Sequence, residues 1–345
     1  MFSKNLKYYR LKSGLTKKAL AEASGLTPMS ITYYEAGERK PGMDSLLSLA
    51  SALGVSLADL LRRRNAELCF EHGDFRKSAS LGATAQELVY ESVEEYFGRF
   101  YDTLECLGGD VLPTAPKCGI LPATYDVEAD AVAMRRHLGI DIVGPVQDLV
   151  GMLENRGILF MALEDADKRF SGINGFVDAR PYIVVNASMS PERNRSTIVH
   201  ELAHLFFDWG GVTGKAQEDH ATAVSGAFLL PATDAIRELG LHRRAITRDM
   251  EMVAREYGVS MMLLAKRANL AGIVSDAAYK AFSITASKRG WRKVEPSRIE
   301  PEKSELFEQL VYRAVCEDDM SIQRGAELLG RSFDEVAYEC ELCGV

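Results

Sequence analysis

The stretch 198–209, "IVHELAHLFFDW", sets His200 and His204 four residues apart, with Glu201 directly after the first. On a helix, residues i and i+4 share one face about a turn apart, so both imidazoles can aim a ring nitrogen at one ion. Glu201, one position on, reaches the water on that ion rather than the ion itself. Two imidazoles holding Zn2+ while a carboxylate takes a proton from bound water is the division of labour of a zinc hydrolase. Glu201 would then act as general base and return the proton to a leaving amine. A catalytic zinc also needs a third protein ligand and one open position. Downstream, "KAQEDHATAVSGAFLLP" offers Glu218, Asp219 and His220 at the start of a second apolar helix, and spacing does not choose among them.

The elements that must position these groups follow from periodicity. Ile198, Val199, Leu202, Leu205 and Phe206 flank the histidines and make the motif helix, from about Pro191, a buried one. Before it, "ILFMAL" and "PYIVVNAS" are short apolar runs bounded by Gly, Pro and Asn, and "RFSGINGFVDARP" reads as a further strand with turns. "YIVVN" is expected to offer an edge to an extended peptide. Past Pro231 the pattern is helical again, and "EPSRIEPEKSE" separates a last helical piece.

The first 61 residues read as five short helices with Gly14, Gly25, Gly37 and Gly54 at the breaks. Residues 1–64 hold 11 Lys and Arg against five Asp and Glu, whereas the remainder holds 30 against 44, for a net charge of −8. A basic head on an acidic body suits a nucleic-acid-binding module joined to something with another task, and argues against indiscriminate coating of DNA. At 47% hydrophobic and 26% charged, the 345 residues are neither disordered nor fibrous. With no apolar leader behind "MFSKNLKYYR" and no run near membrane-spanning length, a cytoplasmic protein without membrane contact is expected. Six scattered cysteines fit reduced thiols, and the single Cys340-x-x-Cys343 lacks the second pair that a metal site would need.

Two resemblances join these readings. The run from "GILFMAL" through "YIVVNAS" and "PERNRSTIVHELAHLFF" to "EDHATAVSGAFLLP" resembles the ImmA/IrrE-type zinc metallopeptidases over roughly residues 130–270. The resemblance implies a zincin-like (gluzincin) domain in which His200, His204 and Glu218 bind zinc. Longer members have Glu-x-x-Ala at the closing helix, which Glu218 and Ala221 fit. Shorter members place the Glu where His220 stands, and Val224-Ser225 replaces a common Phe-Ala. The head resembles XRE/Cro-type helix-turn-helix domains through Leu15-Thr16, Leu20-Ala21, Gly25-Leu26-Thr27, Ile31, Glu35, Gly37 and Pro41. There the helix from Thr27 to about Ala36 would enter the major groove of double-stranded operator DNA. Thr27, Pro28, Met29, Ser30, Thr32 and Tyr33 are the candidates for base or sugar contact, and Lys17, Lys18, Arg39 and Lys40 for phosphates. Thr27 would also cap that helix.

The expected fold is mainly α with a small β-sheet, an α+β chain. It divides into a helix-turn-helix head (1–64), a helical connector and Pro-rich linker (65–125), a peptidase domain (126–290) and a helical C-terminal extension (291–345). The expected function is a transcriptional regulator with a zinc endopeptidase that cleaves a repressor or other partner protein. The resemblance implies a stress, mobile-element or toxin–antitoxin setting. The rival is a transcription factor or antitoxin whose zinc domain senses or scaffolds without hydrolysis. A homodimer would match the paired half-sites such heads read.

Overall fold

The computed structural model describes residues 2–62, 67–73, 81–291 and 294–341. The expected boundary at 62–64 falls mostly outside the described residues, as does Cys343 of the Cys-x-x-Cys pair. Contacts divide the chain into two compact units, one of Met1–Cys69, Leu81–Val111 and Glu308–Val345, the other of Phe70–Ser80 and Leu112–Phe307. Segments 65–125 and 291–345 are thus each shared between the two. The architecture is mainly helical with small sheets. Among the described residues no helix is long and apolar enough to cross a membrane.

In the first unit, helices Phe2–Lys12, Lys17–Ser24, Pro28–Ala36, Met43–Leu53 and Leu57–Leu61 enclose Leu6, Leu20, Ala21, Ile31 and Leu49. The side chains of Thr16 and Thr27 cap the second and third helices, and Gly25 and Gly37 close them at φ 68° and 74°, where a side chain would be strained. Arg10 of the first helix and Glu35 of the third form a buried ion pair that sets their relative position. The long helix Ala83–Cys106 turns acidic residues to the first helix: Lys4 meets Glu94 at 2.7 Å, and Lys7 meets Glu87 at 2.8 Å and Glu91 at 3.0 Å. Part of the head's positive charge is therefore matched within its own unit. Helix Ile322–Leu329 packs on the same long helix, with Arg324 at 2.8 Å from Asp102 and Arg99 donating to the Leu328 carbonyl.

The second unit is built on a four-stranded sheet. Its strands are β1 (Phe70–His72), β3 (Leu159–Leu163), β4 (Gly172–Val177) and β5 (Arg180–Asn186), in the order β1-β4-β5-β3. A short parallel pair joins β2 (Leu121–Pro122) to β6 (Phe207–Asp208). β4 and β5 are antiparallel across Asp178 and Ala179, both at positive φ, as a two-residue hairpin requires. β3 lies parallel to β5. "YIVVN" therefore has neighbours on both sides and is an interior strand rather than the expected edge, which accounts for its nearly complete burial. Against this sheet packs the motif helix Pro191–Phe206, and the helix Lys215–Leu229 packs on that helix in turn, around a core that includes Ile183, Val185, Val199, Leu202, Val224 and Phe228.

Candidate metal centre

The motif helix starts cleanly: Ser190 accepts the Arg193 N–H, Pro191 occupies the first turn, and Glu192 lies at the positive end of the helix dipole. Its apolar residues anchor it, which leaves His200 and Glu201 buried and His204 half-buried on the remaining face. The second helix, Lys215–Leu229, packs on it and presents Glu218 from its first turn. Its far end is held by two buried arginines. Arg135 donates to the Phe228 carbonyl, and to those of Asp141 and Gly144, while Arg267 donates to the Leu230 carbonyl at 2.8 Å. Cations at a helix C-terminus satisfy carbonyls that the helix leaves open.

These helices bring His200, His204 and Glu218 together. Nε2 of His204 lies 3.1 Å from Nε2 of His200, and the Glu218 oxygens lie 3.3 Å from each imidazole. Ligands at about 2.0–2.1 Å from a tetrahedral ion are separated by roughly 3.3 Å, so the spacing of all three donors fits zinc. Oε2 of Glu218 is buried and has no well-directed hydrogen bond, so it is left to be satisfied by a cation. The imidazoles beside it, His200 first and then His204, hold the Glu218 carboxyl well below the usual carboxylate range. On the outer side of the rings, Thr222 Oγ1 lies 3.3 Å from Nδ1 of His200, and the Gln217 amide 3.5 Å from Nδ1 of His204. Partners of this kind fix a ring's orientation and leave Nε2 to the ion.

His220 is not part of this cluster. Its Nε2 is 2.7 Å from Asp130, whose carboxylate also takes the Thr124 hydroxyl and the Thr124 and Tyr125 N–H groups. Glu201 stands beside the cluster, and Asn174 of β4 donates to its Oε2 at 2.7 Å. A cleft of about 190 Å³ opens next to it, lined by Ser171, Gly172, Arg193, Thr197 and Thr222 with His200 and Glu201. A Cβ at Gly172 would come within 2.5 Å of Thr197, so only glycine lets β4 pass this close to the motif helix. Asn174, Gln217 and Thr222 carry no spacing signal of their own; only the "EDHAT" run around Thr222 places it one turn from a candidate ligand.

In the head, Met29 and Tyr33 project from helix Pro28–Ala36 at 59% and 39% exposure, and Pro28 and Thr27 are exposed. Ser30 is bonded to Thr27 Oγ1, and Thr32 donates to the Pro28 carbonyl. Lys18, Arg39 and Lys40 are exposed, whereas Lys17 is half-buried and lies 3.4 Å from Glu35.

Residues 154–269 match the IrrE N-terminal-like domain of the M78 peptidases, and residues 6–60 match a helix-turn-helix family. These matches give the chain two parts, a helix-turn-helix head and a domain similar to the IrrE N-terminal-like domain of the M78 peptidases. Over part of its length the chain is similar to two Bacillus subtilis proteins. The HTH-type transcriptional regulator YqaE is 38% identical over 71 residues, 21% of this chain and 61% of that protein. The SPbeta prophage-derived HTH-type transcriptional regulator YonR is 33% identical over 67 residues, 19% of this chain and 62% of that protein. The chain thus spans under two thirds of either relative. No solved structure matches it.

Proposed function

We propose that the chain is a DNA-binding transcriptional regulator whose M78 domain is a zinc-dependent endopeptidase acting on a partner protein. The observation that carries this reading is the meeting of His200, His204 and Glu218 at zinc-ligand spacing with Glu201 alongside and unused as a ligand. A purely structural ion needs no such neighbour. Zinc, when bound, supplies Lewis acidity, lowering the pKa of water toward neutrality and polarising a carbonyl. The chain's own residues do the rest. Glu201 takes a proton from water at Oε1 while Asn174 holds Oε2, then hands that proton to the departing amine. Thr222 and Gln217 hold the imidazoles that would hold the ion. The exposed Met29 and Tyr33 with Arg39 and Lys40 suit a helix laid in the major groove with cations at its end.

The test is zinc content and cleavage of the product of the adjacent gene, for the unaltered protein and Glu201→Gln. One equivalent of zinc in both, with cleavage lost only in the variant, is expected. Zinc in both with no cleavage by either would favour the sensor or scaffold reading.

A further inference from the structure

β4 is the strand nearest Glu201, and its outer edge is covered by the chain itself. β1 pairs with it antiparallel, Phe70 opposite Val177, Glu71 opposite Phe176 and His72 opposite Gly175. The ladder continues one residue further, where the Gly73 N–H donates to the Asn174 carbonyl at 2.8 Å. Asn174 is the residue whose side chain holds Glu201, so this edge leads directly to the candidate base. Two glycines allow the approach. A Cβ on Gly73 would lie 2.6 Å from the Asn174 carbonyl oxygen, and one on Gly175 would lie 2.4 Å from the Glu71 carbonyl oxygen. His72 Nδ1 lies 2.6 Å from the Tyr182 hydroxyl, and Phe70 stacks on the His72 ring at 5.8 Å. Among the described residues the covering strand is three residues long, and a short edge strand is one whose place another extended chain can take.

We propose that Phe70–Gly73 is an internal, substrate-like strand that occupies the outer edge of β4, the edge beside the site on which an extended peptide would dock. A partner's extended segment then docks by displacing β1 and adding to the sheet in its place. The register states what such a segment must carry: an aromatic opposite Val177 and, three residues on, a glycine against Asn174. The purpose of this device rests on the peptidase reading above, but its test does not.

The test uses the full chain carrying Glu201→Gln and a labelled Leu-Cys-Phe-Glu-His-Gly peptide, the sequence of residues 68–73. Gly73→Pro removes the N–H that bonds Asn174, and Gly73→Ala, a milder change, forces a Cβ against the same carbonyl. Both should bind the peptide at least tenfold more tightly than the parent. In Gly73→Pro the β4 amides should exchange with solvent faster, and recover when peptide is added. In the parent, saturating peptide should speed exchange at Glu71 and His72, a readout that needs no variant. Equal affinity in all three chains, with unchanged exchange, would overturn the proposal. Tighter binding with no cleavage of any partner once Glu201 is restored would support the docking edge and sink the peptidase reading instead.

Discussion

Thr222 touches His200 on Nδ1, while Nε2 of the same ring faces His204 and Glu218. If the hydroxyl keeps that ring in the tautomer a metal requires, Thr222→Val, which preserves shape, should weaken zinc affinity by about 10–100-fold without unfolding the chain. Competition against a chromogenic chelator measures it; an unchanged affinity would leave Thr222 a packing residue. At this scale the sequence is informative where chemistry is local. His200 and His204 share a face because a helix repeats every 3.6 residues, and no tertiary knowledge is needed to say so. Glu218 could not be separated from His220 by spacing, because what distinguishes them is Asp130, which claims His220 from a different helix. Asn174 was illegible for the same reason: its contact with Glu201 exists only once the sheet and the motif helix have met.

Among the elements, the helices of the head were the most legible, since their caps and left-handed glycines are signals carried within a few residues of each end. The loop after helix Pro28–Ala36 supplies the prediction here. Arg39 and Lys40 are exposed just beyond its C-terminus, whereas Lys17 is engaged by Glu35. In a salt titration of binding to a promoter duplex, Arg39→Ala and Lys40→Ala should each reduce the slope of log K against log salt by about 1, and Lys17→Ala by less. Slopes unchanged in the first two would remove them from the phosphate contacts. The sheet was harder to read. β1 has no alternation to recognise in three residues, and its partner lies more than a hundred residues later in the chain. Whether β5 was an edge or an interior strand depended on the order in which β4, β5 and β3 pair, and the apolar run alone fits both.

In the molecule as a whole, the first unit is completed by the last helices of the chain. Arg99 and Asp102 of the long acidic helix find their partners in Leu328 and Arg324. A chain ending at Phe307 should therefore lose solubility, as apolar surface of helix Ala83–Cys106 is uncovered. Light scattering after gentle heating reads this directly, and a truncated chain as monodisperse and heat-stable as the full one would show that the C-terminal helices are dispensable. The same interleaving has a consequence for how the protein is made. The main segment of the second unit, Leu112–Phe307, is synthesised in the interval between the long helix and the helices that cover it. At about 5–20 residues per second, that helix waits roughly 10–40 s for its cover on the ribosome. The five-helix head has its own core and can fold meanwhile, but the half-built unit behind it is exposed for that interval. Translation speed and chaperone supply, rather than final stability, would then set how much of the newborn chain survives to function.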